Sequence, residues 1–148
     1  VDVIVISPPA DVEGRKFGFR VLARAYELFN FPFVGLGVNL KKLSEKQDEV
    51  KRVIKALIKA NSYIRSNRDG SIQTLMEWGR TSKENASLSY DSVVRVFNAD
   101  GNIPEDGLQA VIEAAMKEAK ITRQVLTGEV ADLTLVREAQ KDLGIKGR

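Results

Sequence analysis

The chain of 148 residues contains no cysteine and no histidine. Without cysteine it has no disulfide, no thiolate nucleophile and no thiolate metal site. Cysteine-free chains occur in every compartment, so this absence does not locate the protein. Without histidine it lacks the side chain that most often serves as general base and as metal ligand. No apolar run approaches the ~20 residues of a membrane-spanning helix. Charge of one sign is also scarce: 23 basic against 20 acidic residues leave a net +3. That excess is too small to call for nucleic acid or an anionic membrane. Gly35-Leu36-Gly37 lacks the remaining glycine of the dinucleotide fingerprint. The carboxylates fall where helix caps and helix surfaces account for them. No enzyme, no cofactor, no metal site and no nucleic-acid partner is therefore expected.

What is present is ordinary for a folded chain. Hydrophobic residues make up 43% and charged residues 29%, which argues against long disorder. The length suits one domain able to bury roughly 68–70% of its unfolded surface. The opening stretch is less ordinary. Val3, Val5 and the isoleucines at 4 and 6 form a continuous apolar run that stops at Ser7-Pro8-Pro9. Such a run suits a strand buried on both faces. Two prolines forbid its extension, because they lack ladder donors and restrict the residue before them. A short helix is predicted over 10–17, ended by Gly18. Further short strands are predicted over 19–25 and 31–40, the latter with Gly35 and Gly37 marking a twist or a close approach.

From Ser44 onward the pattern is helical. Ser44 and Gln47 fit a capping box. Val50, Val53, Ile54, Leu57, Ile58 and Ile64 then share one helical face, with Lys51, Lys55 and Lys59 opposite. Residues 67–70 read as a turn, and a helix through Ile72, Leu75 and Met76 ends near Gly79. Ser82 caps a helix carrying Ala86, Tyr90, Val93, Val94 and Phe97 inward. Residues 98–104 are a loop. Pro104, Glu105 and Asp106 suit the next helix start, whose apolar face is Leu108, Val111, Ile112, Ala115 and Ala119. Asp132 caps a last helix through Leu135, Val136 and Ala139, closed by Gly144. The fold class expected is α/β: a few short strands at the N-terminus, then mostly helices. Three short strands make a poor sheet alone. The chain is therefore expected to be a piece of a longer protein, or to complete its sheet as a homodimer.

The order of these pieces resembles a known family. Val1-Asp2, Ser7-Pro8-Pro9, Gly18-Phe19-Arg20-Val21-Leu22, Pro32 with Gly35-Leu36-Gly37-Val38, and Glu49-Val50-Lys51-Arg52-Val53 follow one another. This series is similar to the substrate-binding proteins of the nitrate/sulfonate/taurine type of ABC importer, the NMT1/THI5-like group of type II periplasmic binding proteins. The helical tail, from Ala86 to Glu113 and from Val130 to Gly144, fits the same pattern. The resemblance runs through nearly the whole chain and matches only the C-terminal half of such proteins. It departs at Val3, where the family usually has alanine.

The resemblance implies a helix-rich piece of a type II periplasmic-binding-protein fold. Residues 1–30 would close the second lobe, with a strand, the Ser-Pro-Pro corner, a short helix and a strand. Residues 31–148 would return to the first lobe and its C-terminal helices. It implies capture of a small ligand, anionic or aromatic, by hinge closure between lobes. An ABC permease in the membrane would be the partner. The location would be periplasmic or otherwise extracytoplasmic, with any signal or lipid anchor upstream of this stretch. A ligand-sensing or interaction module of the same fold, regulating a partner protein, is the alternative. Some relatives make a thiamin pyrimidine precursor and depend on histidine, so that activity is not expected here.

Ser7, Pro8 and Pro9 are the first candidate ligand contacts, at a strand end that precedes a helix, where open α/β sheets bind ligands. Asn39 is the second, as a polar contact or hinge residue beside its plainer reading as a turn residue. Asp11 and Glu13 are expected to serve the helix dipole, and they would repel an anion. The lysine stripe is read as a solvated helix face, since no aromatics interleave it. Trp78 and Tyr90 are expected to pack between helices.

Overall fold

A computed structural model describes residues 2–8, 10–30, 32 and 34–145. The chain has helices α1 (Ala10–Lys16), α2 (Ala25–Leu28), α3 (Leu40–Glu45), α4 (Gln47–Ser66), α5 (Arg68–Gly79) and α6 (Lys83–Val93). A 3₁₀ turn (Val94–Val96) leads on to α7 (Glu105–Glu118), α8 (Thr127–Val130) and α9 (Thr134–Asp142). Among the described residues there is no strand, so the α/β class and the periplasmic-binding-protein fold expected from sequence are corrected to all-α. The described parts of 2–6, 19–24 and 34–39 are neither helix nor strand, and α2 begins inside the second expected strand. The physical reason is that an apolar run supplies strand propensity but not a neighbour. A ladder exists only where another segment answers its N–H and C=O groups.

The helices follow local rules more closely. α1 ends one residue before its expected limit, and Gly18 follows with a φ of 84°, a left-handed conformation open to glycine. The expected capping box at Ser44 is not used. Ser44 lies inside α3, its hydroxyl donating to the Lys41 carbonyl, and α4 starts after an uncapped Lys46. The expected turn at 67–70 is instead a helix start, because the Asn67 side chain accepts the Gly70 N–H and caps α5. Ser82 caps α6 as expected. Asp132 accepts the Thr134 N–H and so reaches the start of α9 from one residue before the cap position.

The core is thin. Ile72, Ala86 and Tyr90 are buried together between α5 and α6, with Ile64, Leu75, Met76 and Val94 packed around them. The Tyr90 hydroxyl donates to the Ile64 carbonyl at 2.6 Å, which satisfies a polar group brought into that core. α9 lies along α4, burying Ala139 and Gln140, and α1 touches α6. On α4 only Val50 and Ile58 are buried, while Val53 and Leu57 stay about half exposed. On α7 the buried set is Gly107, Leu108 and Ile112; Ala115 and Ala119 are exposed. Loop 98–104 is tied down by Asn61, which donates to the Asn98 carbonyl, and by Gln140, which donates to the Asp100 carbonyl; Arg65 holds the Phe97 carbonyl just before it.

The consequence is a large surface. The chain exposes 11,528 Å², whereas a compact monomer of its mass exposes about 7,500 Å². Much of the excess is apolar and lies in the N-terminal 40 residues: Val3, Val5, Phe17, Leu22, Val34 and Leu40 are all more than two-thirds exposed. No helix among the described residues is long and apolar enough to cross a membrane.

Candidate functional site

The Ala10 N–H donates to the Ser7 carbonyl at 2.9 Å, which swings the apolar run into α1. Ser7 is exposed and Pro8 half-buried; Pro9 lies outside the described residues. The run folds back onto its own helix. A Cβ at Gly14 would stand 3.3 Å from Ile6 Cδ1, so the absence of a side chain there lets Ile6 approach α1.

Asn39 caps α3, its side chain accepting the Lys41 N–H at 2.8 Å. That is a helix cap, neither the turn residue nor the ligand contact or hinge expected from sequence. No hydrogen bond joins Ser7 or Pro8 to Asn39 among the described residues, and none of the three lines either of two concavities.

The smaller concavity, about 220 Å³, lies between α1 and α6 and is lined by Val12, Arg15, Lys16, Glu84 and Leu88. Its rim is held by Lys16, which donates to Glu13 at 3.2 Å and to Asn85 at 3.0 Å. Asn85 in turn donates to Glu13 at 3.4 Å. Arg15 stands 4.0 Å from Asp11. Asp11 and Glu13 thus do more than serve the helix dipole: each holds a cation of its own helix, as i,i+4 and i,i+3 pairs do. Both cations over the apolar floor of Val12 and Leu88 are therefore committed to carboxylates of their own helix. Glu84 lines the facing wall. Nothing in the sequence could have assembled this cleft, because Lys16 and Asn85 meet only in the tertiary fold.

The larger concavity, about 750 Å³, is an open trough from Ser44 to Lys55 at the α3–α4 junction. Its charges are largely committed. Lys42 pairs with Glu49, whose carboxyl is held below its ordinary range by that hydrogen bond. Lys51 donates to Glu138 at 3.2 Å, and Lys55 to Asp142 at 3.1 Å. The hydrogen bond to Glu138 raises the Lys51 ammonium, and the bond from Lys55 lowers the Asp142 carboxyl. The lysine stripe is therefore not a merely solvated face. Lys51 and Lys55 dock α9, whereas Lys59 is exposed; the signal was legible, since lysines at 51 and 55 match acids at 138 and 142 in the same i,i+4 spacing.

The aromatic pair divides. Tyr90 is buried as expected, with the Arg68 guanidinium 5.8 Å over its ring and clamped by Asp91. Trp78 is 87% exposed, against the expectation that it packs between helices. Among the described residues no group of three or more acidic side chains could hold a metal ion. No family model matches the chain, and no curated protein or solved structure matches it.

Proposed function

We propose that the protein captures a small solute without chemical change and delivers it to an ABC importer in the membrane. The observation that carries this reading is the ordered series from Val1-Asp2 through Ser7-Pro8-Pro9, Gly18–Leu22 and Gly35–Val38 to Glu49–Val53. The α/β fold first expected with that resemblance is not carried along. The α1–α6 cleft, lined by Val12, Arg15, Lys16, Glu84 and Leu88, is the place offered for the solute, with its polar contacts at the rim and its apolar contacts on the floor. Capture would work by differential affinity, the ligand stabilising the arrangement that encloses it. On this reading the protein works outside the cytoplasm, with a signal or lipid anchor encoded upstream.

The test is a thermal-shift screen of the protein produced from its complete reading frame, against sulfonates, nitrate, aromatic acids and pyrimidines. A true ligand at a hundred times its Kd stabilises by about 2.7 kcal/mol, a rise of roughly 5–11 °C for a domain of this size. Arg15→Ala should weaken the hit. If none of these solutes moves the melting temperature, solute capture fails.

A second reading, an interaction module that regulates a partner, is favoured by the 11,528 Å² of exposed surface. A kinase or DNA-binding segment fused in the same reading frame would favour it over transport.

A further inference from the structure

The apolar segment 2–6 is bare on its edges as well as on one face. Exposure alternates along it, from 68% at Val3 to 41% at Ile4, 100% at Val5 and 41% at Ile6. A period of two is the mark of extended backbone with opposite side chains on opposite faces. One face turns to the molecule, with Ile6 against α1 at Gly14. The other, Val3 and Val5, faces outward. The backbone N–H and C=O groups of 2–6 have no hydrogen-bond partner among the described residues. The segment thus combines β-branched side chains, low charge and free donors and acceptors, the conditions under which an edge recruits another strand.

We propose that segment 2–6 pairs with the same segment of a second copy of this chain, antiparallel and centred on Ile4. Charge decides the direction. A parallel, in-register pair would set the two Asp2 carboxylates about 4.8 Å apart. The antiparallel pair sets Asp2 opposite Ile6 of the other copy. The two carboxylates then stand about 13 Å apart, beyond the screening length of about 8–10 Å at ordinary salt. The same register places Val3 opposite Val5, a favourable β-branched cross-strand pair, and Ile4 opposite itself. A two-fold axis through Ile4 makes the contact isologous and closed.

Area permits it. The native surface exceeds that of a compact monomer by about 4,000 Å², whereas a stable dimer buries about 800 Å² per partner. This inference does not rest on solute capture; a strictly monomeric protein would leave that reading standing.

Two measurements on the 148-residue chain test it. In analytical ultracentrifugation across micromolar concentrations, the mass should rise from 16.4 kDa to twice that value. Val3→Pro combined with Ile4→Pro removes one donor from each edge and should leave only monomer, with unchanged helical circular dichroism. Because the chain has no cysteine, Ile4→Cys should cross-link to itself on oxidation, its paired Cα atoms standing at disulfide distance. Asp2→Cys should cross-link about tenfold less. A monomer at every concentration, a dimer that survives the double proline change, or equal cross-linking at positions 2 and 4 would each overturn the proposal.

Discussion

A methyl group at position 107 would land on the Asn30 carbonyl oxygen. Gly107 lies in the first turn of α7, where alanine ordinarily gains about 1 kcal/mol over glycine through helix propensity. Here the obstacle is backbone rather than the flexible end of a side chain, so either α7 or segment 30–32 must move. We expect Gly107→Ala to lower the melting temperature by roughly 2–4 °C, the equivalent of about 1 kcal/mol net, and to speed proteolytic cutting between residues 28 and 34. A variant that melts higher, with unchanged cutting, would show that propensity wins and that the close approach is dispensable. Gly101 is a different case. Its φ of 74° and its closeness to Ile58 both oppose a side chain. The pattern of the sequence marked the loop around Gly101 but gave no sign of Gly107, since only the fold brings Asn30 there.

The α4–α9 contact belongs to the element scale. It joins a buried seam at Val50, Ile58, Ala139 and Gln140 to the flanking pairs Lys51–Glu138 and Lys55–Asp142. The pairs are solvent-exposed, so each adds little alone, and their main effect is to set register. Their pH dependence has a definite sign. Asp142 is lowered by its bond from Lys55, so its contribution is present above the ordinary Asp range and is lost as pH falls through the lowered value. Lys51 is raised by its bond to Glu138, so its contribution holds below the ordinary Lys range and is lost as pH rises through the raised value. The docking of α9 should therefore be flat from about pH 5 to 9 and should weaken below about pH 4. The protection factors of amides 134–142, which are exchange rates corrected for their intrinsic pH dependence, should hold from about pH 5 to 9 and fall below about pH 4. Asp142→Asn should remove most of that fall. Protection as acid-sensitive in Asp142→Asn as in the parent would assign the effect to other carboxylates.

At the scale of the whole molecule, the chain buries only about half of the surface its unfolded form exposes. The cause lies chiefly in the N-terminal 40 residues, whose apolar side chains find few partners, with Val53, Leu57 and Trp78 on α4 and α5 adding to it. Because denaturant sensitivity scales with the area exposed on unfolding, the monomer's urea m-value should be about a quarter smaller than that of a compact domain of equal length. A solute, partner or second copy that covers the arm should restore it. An m-value already at the compact level would mean that the arm is folded against the body in solution.

By itself the sequence determined the longer helices and much of their punctuation, but not α2, α3 or α8. Apolar spacing, Ser82 at a cap, proline and acids before α7 and glycine after α1 and α9 act within a few residues, so local chemistry suffices. It also contained the matched charges that register α9 on α4. It misplaced the cap at Ser44, because side-chain bonding inside α3 competes with capping and both satisfy the same hydroxyl. It read strands into 2–6, 19–25 and 31–40 because β-branched and aromatic runs carry strand propensity. Whether such a run becomes a strand depends on a partner distant in sequence or on another molecule. That decision, like the meeting of Lys16 with Asn85 and of Gly107 with Asn30, belongs to tertiary structure. A helix completes its own hydrogen bonds, and a strand cannot.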